Sequence, residues 1–370
     1  MLVKLKDVTY LVNDRRERRS DDVNHFVSTE NLLSDRRGVS FPASTSPKSK
    51  YVHAYTKGDI LISNIRPYFK KIWKATFDGT RSADVLCFRS SAKELSQDYL
   101  YVLLESESFF NYVTKTAKGT KMPRGDKSAI LEFEFNLPSL KIQKEISHQI
   151  ISIEKKIRLN EQINDNLLEL INSIYSARQS SDAKKEKIHI SDLFDTSSTT
   201  YRINEHSNEF VWHFSIPNFD QQRYPTIDSV KDIKSNKIIV KPFSVLVSKL
   251  NPTTRRIWAP STDSFNKYSK VCSTEFVSIS GNDITEQATI FAITRSDDFM
   301  KYLSSKATGS TNSRQRVKPI DIYSYTLPIS KSTLSQIQKQ LALLLQKLQS
   351  NQDEIITLIK LKQELLFKYF

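Results

Sequence analysis

Two sets of side chains that suit contacts with duplex DNA recur in the two halves of the sequence. Each set follows a predicted strand and flanks a proline, Pro67 in the first half and Pro252 in the second. Cationic side chains supply affinity for phosphates, and Arg, Asn, Gln, Ser and Thr can also read base edges. The members are Asn64, Arg66, Tyr68, Lys70 and Lys71 in the first half and Lys249, Asn251, Thr253, Arg255 and Arg256 in the second.

A second pair of polar loops carries the same kinds of donors and acceptors. Any single residue in these loops is more readily an ordinary solvated side chain, but recurrence in both halves favours a DNA-binding surface for the sets as wholes. The members are Lys118, Thr120, Lys121 and Arg124 in the first half and Ser310, Asn312, Arg314, Gln315 and Arg316 in the second.

One further basic cluster occurs only once. Arg15 and Arg16, with Arg18 and Arg19, are expected to form a basic loop near the start of the chain. Because nothing matches this cluster in the second half, we interpret it as a phosphate clamp or a plain solvated loop and not as a base reader.

The two halves of the sequence repeat one another in order. Leu137-Pro138 recurs as Leu327-Pro328 at an offset of 190, and the segment 63–67 recurs as 248–252 at an offset of 185. Loop insertions produce this kind of drift in offset, whereas the order of the segments is kept throughout. The sequence therefore predicts an internal duplication.

Each half ends in a long predicted helix with a heptad pattern. The first helix is expected from Leu140 to about Gln179 and the second from Ile337 to Phe370. Apolar residues recur there in alternating steps of three and four, which is typical of a coiled-coil seam. The Asn and Gln residues in the seams are expected to set the register, unless they merely face solvent at a helix irregularity. The polar seam residues are Asn160, Asn164, Gln352 and Lys362.

These patterns predict an α+β fold. Two pseudo-repeated mixed α/β globular domains, residues 1–138 and 181–328, are expected to alternate with two spacer helices, residues 139–180 and 329–370. The spacer helices are expected to form an antiparallel intramolecular coiled coil, because the second can lead back towards the first domain. Within the first domain we expect strands at 59–63, 85–88 and 130–135 and a helical segment at 97–113.

Composition favours a polyanionic partner. Lys and Arg number 55 against 41 Asp and Glu, which gives a net charge of +14 and favours nucleic acid over a membrane surface. The two cysteines, Cys87 and Cys272, suggest a reducing compartment, and no apolar run approaches the roughly 18 to 20 residues that span a bilayer. A cytoplasmic protein is therefore expected.

Motifs for catalysis or metal binding do not match. The segment 119–128 has five residues between its glycines and an Asp before its Lys, which departs from a phosphate-binding loop. The segment 251–254 lacks the second proline and the aromatic residue of an amino-methyltransferase turn. Glu154-Lys155-Lys156 lies in the heptad helix, where pairing of charges four residues apart explains it better than a nuclease motif. His25 and His213 recur but lack neighbours at ligand spacing, so they are expected to be structural or to face DNA.

The order of these pieces resembles the specificity subunits of type I restriction-modification systems. The resemblance lies in the segment 58–63, in 137–146 and in Leu327-Pro328 with 338–341, and it covers essentially the whole chain. In that family each globular domain is a target recognition domain that reads one half of a bipartite DNA site. An antiparallel coiled coil sets the gap between the two halves. The second half departs from the pattern where Pro242-Phe243 replaces Gly58-Asp59.

The resemblance implies a non-catalytic subunit that directs adenine methylation and restriction. Two methyltransferase subunits would dock around the spacer helices, and restriction or translocase subunits would join them in some complexes. S-adenosylmethionine, ATP and magnesium would be held by those partners, and this chain would bind no cofactor of its own.

Two other functions stay open at the level of sequence. A basic coiled-coil adaptor for an acidic protein would bind with little salt dependence, whereas a DNA-binding protein would lose affinity steeply as salt rises. A stand-alone modification enzyme would transfer methyl groups without partners. Under the leading interpretation, changes at Arg66 or Lys71 affect the first half-site only, and one added helical turn lengthens the gap between half-sites.

Overall fold

The computed structural model describes residues 1–43, 45, 49–182, 187–309 and 315–370, and they form two compact units. Unit 1 comprises Met1–Lys156 together with Leu358–Phe370, and unit 2 comprises Ile157–Thr357. Both units combine strands and helices, which confirms the predicted α+β class. The unit boundaries fall inside the long helices, so the division into two domains and two separate spacers stays a prediction.

The strands of unit 1 form three sheets. In the first, with the order β2-β9-β6-β7, the central strand β6 is a continuous apolar run buried on both faces. The second has the order β3-β5-β8-β4, in which β4 and β8 are parallel, and the third pairs β1 with β10. The strands are β1 (Leu2–Lys4), β2 (Thr9–Leu11), β3 (Arg15–Glu17), β4 (Phe26–Val27), β5 (Tyr51–Tyr55), β6 (Ile60–Ser63), β7 (Ile72–Lys74), β8 (Gly79–Arg81), β9 (Val85–Ser90) and β10 (Glu134–Asn136).

Three local predictions for unit 1 are corrected by its helices and strands. The segment 97–113 is two helices and not one, because Ser106 accepts a hydrogen bond from the Phe109 amide and caps a new helix. The segment 130–135 is only partly strand, since Asp126 caps a short helix that precedes β10. The basic segment at 15–19 begins as strand β3 and not as a loop. The helices are α1 (Leu5–Val8), α2 (Gln97–Leu104), α3 (Glu107–Lys115), α4 (Lys127–Leu131) and α5 (Leu140–Ser181), which continues into unit 2.

Unit 2 repeats the sheet topology of unit 1, which confirms the predicted duplication. Its three-stranded sheet has the order β16-β15-β18, matching β7-β6-β9. Its other sheet has the order β11-β14-β17-β12-β13, which matches β3-β5-β8-β4 with β13 added, and β12 and β17 are again parallel. The strands are β11 (Thr200–Tyr201), β12 (Phe210–Phe214), β13 (Thr226–Ser229), β14 (Lys237–Ile239), β15 (Ser244–Ser248), β16 (Ile257–Trp258), β17 (Ser269–Cys272) and β18 (Phe276–Ser280).

The helices of unit 2 follow the same plan. Ser296 caps α9 by accepting a hydrogen bond from the Phe299 amide, as Ser106 does for α3. The last helix begins at Lys331, six residues before the predicted start at Ile337, because Ser330 accepts hydrogen bonds near its first turn. The helices are α6 (Ile190–Leu193), α7 (Ile216–Gln222), α8 (Ile284–Arg295), α9 (Asp297–Lys306), α10 (Pro319–Tyr323) and α11 (Lys331–Tyr369), whose end belongs to unit 1.

In unit 1, the start of α5 and the end of α11 lie side by side in antiparallel directions. Ile146 and Ile150 share one hydrophobic core with Leu366. At the polar position of this pair, the Lys362 ammonium lies between the carboxylates of Glu154 and Glu105, 3.0 Å from Glu105 Oε1. Glu154 is thus buried in the seam and ion-paired across to α11, so its assignment to surface pairing along one helix is wrong.

In unit 2, two buried amide contacts join the rest of the same helices. Asn160 Nδ2 donates to Glu354 Oε2 at 2.8 Å, and Asn351 Nδ2 donates to Asn164 Oδ1 at 3.0 Å. The expectation that these Asn residues face the seam is confirmed, because both are buried. The polar seam residue of α11 is Asn351 and not the predicted Gln352, which donates to the Gln222 carbonyl instead.

The buried charge cluster of unit 1 makes a specific prediction about stability. Lys362→Met is expected to lower the free energy of unfolding by about 3 kcal/mol, because it leaves two buried carboxylates without their cation. Urea denaturation of the full chain, read in unit 1 by amide hydrogen exchange of α2, measures this loss. Lys360→Met, at an exposed position of the same helix, is the matched control and is expected to change stability by less than about 0.5 kcal/mol.

The loss should also depend on pH. Burial and the neighbouring Glu154 carboxylate raise the pKa of Glu105 above its ordinary value of 4.5, so the folded form binds its proton more readily than the unfolded form. Stability from this group therefore falls as pH rises from its unfolded pKa to its folded pKa. Removal of the Lys362 ammonium raises the folded pKa of Glu105 further and so extends that fall to higher pH. The variant is expected to lose less stability at pH 5 than at pH 8. An equal loss at both pH values, or an equal loss in the control, would contradict the cluster's role.

Candidate nucleic-acid interface

The first candidate loop of unit 1 connects β6 to β7 through a tight turn. The Ser63 amide donates to the Lys71 carbonyl at 3.1 Å and closes the base of the loop. Pro67 begins a short 3-10 turn, and the residues that flank this turn, Arg66 and Lys70, both adopt a left-handed conformation with φ of 50°. The turn leaves the Arg66 side chain exposed.

The second candidate loop of unit 1 lies directly against the first. The Arg66 amide donates to the Pro123 carbonyl at 2.8 Å, and the Gly125 amide donates to the Asn64 carbonyl at 3.0 Å. Gly125 permits this approach, because a Cβ there would lie 2.7 Å from Asn64 Oδ1. Unit 1 therefore brings its two predicted sets of DNA-binding residues together into one surface.

Unit 2 joins its loops with the same backbone hydrogen bonds. The Asn251 amide donates to the Gln315 carbonyl at 2.8 Å, and the Val317 amide donates to the Lys249 carbonyl at 3.0 Å. Asn251 is also left-handed, with φ of 48°, as is Arg66 at the matching position. The pair of joined loops is thus built twice, once in each unit.

The second loop is closed in the same way in both units. Lys118 and Arg124 exchange two backbone hydrogen bonds of 2.8 Å, and Thr308 and Arg316 exchange two of 2.9 Å. The match between the loops at 118–124 and 310–316 predicted from sequence is therefore confirmed at their described ends. Ser310, Asn312 and Arg314 lie outside the described residues.

Carboxylates at matching positions hold the cations of the first loops. Lys70 Nζ lies 2.7 Å from Glu107, and Arg255 Nη2 lies 2.5 Å from Asp297. Both carboxylates are about half exposed or more, so these ion pairs are weak in water. A phosphate can therefore compete for each cation at modest cost.

The second loops are held by carboxylates in the same manner. Arg124 Nη2 lies 3.4 Å from Asp84, and Arg316 Nη2 lies 2.9 Å from Glu275. Lys118 lies 2.5 Å from Asp126, and its hydrogen bond lowers the pKa of that carboxyl. Each unit thus presents cations that are aligned by neighbouring acids but still reach solvent.

Two predicted residues are engaged in the protein more closely than the others. Lys71 Nζ donates to the Thr29 carbonyl at 2.6 Å, and burial lowers the pKa of Lys71. Arg256 forms two hydrogen bonds with Asp220, at 2.7 and 2.9 Å, and its side chain is only 13% exposed. Lys71 and Arg256 occupy matching positions, so both units use this cation to hold the loop. That Lys71 and Arg256 bind DNA stays a prediction. Substitution of Arg66, which is exposed, tests DNA binding more directly.

Other predicted residues point into solvent. Arg66, Tyr68, Thr120 and Lys121 are exposed in unit 1 and make no side-chain hydrogen bond to another described residue. Thr253 is exposed in unit 2, and Lys249 is half-buried. Asn64 and Asn251 are more buried, and the Oδ1 atom of each has no hydrogen-bond partner among the described residues.

The single basic cluster is only partly available. Arg16 lies in β3 and forms a two-point ion pair with the buried Asp22 carboxylate, while Arg15 is exposed beside His53. Arg16 therefore holds the turn that follows β3, whereas Arg15 is exposed to solvent.

Phe69 is a further candidate DNA contact that was not predicted from the sequence. Its ring is 38% exposed and lies 4.7 Å from the ring of Tyr68, so the turn in unit 1 presents two adjacent aromatic faces. The signal was an aromatic pair directly after Pro67, where the short turn leaves no room to bury both rings. The matching pair in unit 2 is Thr253 and Thr254.

Other site chemistry is limited in the described part of the chain. Among those residues, no group of three or more His, Cys, Asp or Glu side chains is arranged to hold a metal ion. The described helices also include none that is long and apolar enough to cross a membrane.

Comparison with known proteins relates this architecture to DNA-specificity proteins. Residues 17–169 match the family model of the type I restriction modification DNA specificity domain. The type I restriction enzyme EcoDI specificity subunit of Escherichia coli is 28% identical over 127 residues, which are 34% of this chain and 27% of the relative. The matched segment thus spans about a quarter of the length of that curated relative.

One solved structure extends the likeness of fold over the whole chain. The S subunit of a type-I restriction-modification system from M. genitalium superposes with a TM-score of 0.62 at 12% identity, covering 100% of this chain and 96% of that one. The HsdS subunit of Thermoanaerobacter tengcongensis has a TM-score of 0.38 at 16% identity, with 100% and 96% covered.

The chain therefore shares its fold with the S subunit from M. genitalium. Residues 17–169 match the model of the type I restriction modification DNA specificity domain, and the resemblance seen in the sequence is confirmed.

The matching loop positions permit a paired prediction about DNA binding. Arg66→Ala is expected to weaken binding to duplex DNA and to reduce the slope of log affinity against log salt by about 1, because one phosphate contact is lost. Asn251→Ala, at the equivalent position of unit 2, removes no charge and is expected to leave that slope unchanged. Fluorescence anisotropy with a labelled duplex at a series of salt concentrations measures both slopes.

The absence of any effect of Arg66→Ala would contradict this prediction. If Arg66→Ala leaves both affinity and salt slope as in the wild type, the exposed turn after β6 is not a DNA contact. Lys57→Ala, which removes an exposed charge elsewhere in unit 1, shows how much a general loss of positive charge contributes.

Proposed function

We propose that this chain is the DNA-recognition subunit of a type I restriction-modification complex, in which unit 1 and unit 2 each read one half of a bipartite site. The observation that carries this proposal is the joined pair of loops, built twice on the same backbone hydrogen bonds. A repeated scaffold with different exposed side chains allows the two units to recognise different DNA sequences.

The side chains on the two scaffolds differ in what they can read. Unit 1 presents Arg66, whose guanidinium suits the guanine edge, whereas unit 2 presents Asn251, whose amide suits the adenine edge. The aromatic rings of Tyr68 and Phe69 in unit 1 are replaced by the hydroxyls of Thr253 and Thr254. The two half-sites are therefore expected to differ in sequence.

The remaining parts of the reaction are assigned to partner subunits. Two methyltransferase subunits would dock around the long helices and methylate adenine, and restriction or translocase subunits would join them in the cytoplasm. S-adenosylmethionine, ATP and magnesium would be bound by those partners and not by this chain. Exposed apolar residues on α5, namely Leu159, Ile163 and Leu170, support a protein partner at the helices.

The adaptor function is not favoured. A basic coiled-coil adaptor gives no reason for two loop pairs joined by the same backbone hydrogen bonds, and the family match is to a DNA specificity domain.

The spacing role of the long helices can be tested by lengthening both together. Seven residues inserted between Lys156 and Ile157, with seven between Thr357 and Leu358, keep the heptad phase of each helix and add roughly 10 Å of helix. At about 3.4 Å per base pair, the unread gap in the methylated site is expected to grow by about three base pairs. Mapping of methylated adenines in cells that carry the partner subunits measures the gap.

The map of methylated adenines also distinguishes failure of the spacing role from failure of DNA recognition. An unchanged gap with intact half-sites would refute the spacing role but keep the recognition function. Seven residues replaced one for one by other heptad residues on the same stretch of α5 and α11 serve as the length control, and that variant should methylate the wild-type motif.

A further inference from the structure

The duplicated fold places opposite charges at one matching position, where Glu105 is buried and Arg295 is half-buried. Glu105 in unit 1 and Arg295 in unit 2 each stand directly before the serine that caps the following helix. Both lie at the carboxyl end of the preceding helix, where α2 and α8 approach the long helices of their own units. At this matching position, unit 1 therefore has a carboxylate and unit 2 has a guanidinium.

Unit 1 supplies the counterion for its buried charge. Lys362 of α11 lies 3.0 Å from Glu105 Oε1, and the Tyr101 hydroxyl donates to the same oxygen at 2.9 Å. The second carboxylate of the cluster, Glu154, comes from α5. This corner of unit 1 is filled by its own side chains.

Among the described residues of unit 2, no carboxylate forms an ion pair with Arg295, although Asp165 acts on it at longer range and raises its pKa. Gln349 stands where Glu154 stands in unit 1, by the offset of 195 that relates the two long helices, and its amide donates to the Ala259 carbonyl at 3.0 Å. The Nε atom of Arg295 is buried and has no hydrogen-bond partner among the described residues. The guanidinium carbon lies 5.3 Å from the Phe291 ring centre, a contact that does not supply a hydrogen-bond acceptor in the plane of the guanidinium. A position at the carboxyl end of α8 offsets only part of the cost of this burial.

A cavity of about 70 Å³ opens at this corner of unit 2, lined by Arg295. Since one water occupies at least about 10 to 15 Å³ measured in this way, the cavity has room for roughly five waters or one compact organic group. Its walls come from α5, α7, α8 and α11 and from the segment around β16. The aromatic lining residues are Phe219, Tyr224, Trp258, Phe265 and Phe291.

The charges around the cavity favour an anion of low charge. Burial lowers the pKa of Arg295 to about 10, Arg255 and Arg223 act in the same direction, and Asp165 opposes them, so the Arg295 guanidinium is charged at neutral pH. Asp353 lines the same cavity and is hydrogen-bonded by Ser264, and its carboxyl disfavours a second negative charge on any ligand.

We propose that this cavity is a binding site for a small organic monocarboxylate with a flat apolar body. Its carboxylate pairs with Arg295, which has no ion-pair partner among the described residues, using the paired donors of the guanidinium. The apolar body packs against Trp258 and Phe265, whose rings suit edge or face contacts with a flat group. Binding ties α8 to both long helices of unit 2, because Asn164 and Gln349 line the same cavity.

Benzoate and acetate are the probes, with inorganic phosphate as the anion of higher charge. Isothermal titration and thermal unfolding of the full chain are expected to show saturable benzoate binding and a higher unfolding temperature. Acetate is expected to bind more weakly because it lacks the apolar body, and phosphate more weakly still. Absence of saturable binding by benzoate, or tighter binding of phosphate, would overturn the proposal.

Arg295→Met tests the anchor without a large change in side-chain length. The variant is expected to bind benzoate at least about tenfold more weakly while staying as stable as the wild type or becoming more stable, since a buried cation without a partner is removed. Arg202→Met, an exposed cation paired with Glu205 in the same unit, is the control and should bind as the wild type does.

A second variant keeps the proposal testable if Arg295→Met does not fold. Arg295→Lys keeps the charge but loses the planar fork, so intermediate affinity is expected. Equal benzoate affinity in the wild type and in both Arg295 variants would show that the site is not at this cavity. DNA binding is not a readout here, so failure of this proposal and failure of the recognition function are separate outcomes.

Discussion

Two backbone amides, those of Arg66 and Asn251, determine how the recognition surface of each unit is built. Each lies in a left-handed turn after a buried strand, and each donates to a carbonyl of a second loop more than fifty residues further along the chain. Main-chain contacts of this kind depend little on side-chain identity. The exposed side chains on both loops can therefore vary without loss of the scaffold, which is the property that a family of DNA readers requires.

The long helices impose a different constraint, because their seams contain buried polar groups. Lys362 meets two carboxylates in unit 1, whereas amide pairs such as Asn164 with Asn351 occur in unit 2. A slip of either helix by one heptad would leave such groups buried without partners, which costs more than an apolar seam would. Polar seam residues thus favour one register, and the charge difference between the units distinguishes the two ends of the helix pair.

Much of this organisation could be predicted from the sequence where a period or a repeat was present. Heptads gave both long helices to within a few residues, and the repeated order of short segments gave the duplication. Helix caps that interrupt a longer apolar pattern were harder to predict. Ser106 splits one apolar helical pattern into two helices because its side chain caps a new start, and Asp126 does the same within an expected strand.

Side-chain partners were the least predictable part of the site. Lys71 and Arg256 are cations in polar loops and look like DNA contacts in sequence, yet Thr29 and Asp220 hold them. Those partners lie more than thirty residues away, so no local pattern reports them. The exposed Phe69 and the half-buried Arg295 were missed for the same reason, because exposure and hydrogen bonding are properties of the folded unit.

The central claim is that each unit reads its own half of the DNA site, and one measurement tests it directly. Methylated adenines are mapped genome-wide in cells with the partner subunits and either the wild-type chain or a chain whose segment 249–256 is replaced by that of another specificity subunit. The account predicts one bipartite motif for the wild type and a change in only one half of it for the replacement. Changes in both halves together, or a motif that persists when the chain is deleted, would contradict the account.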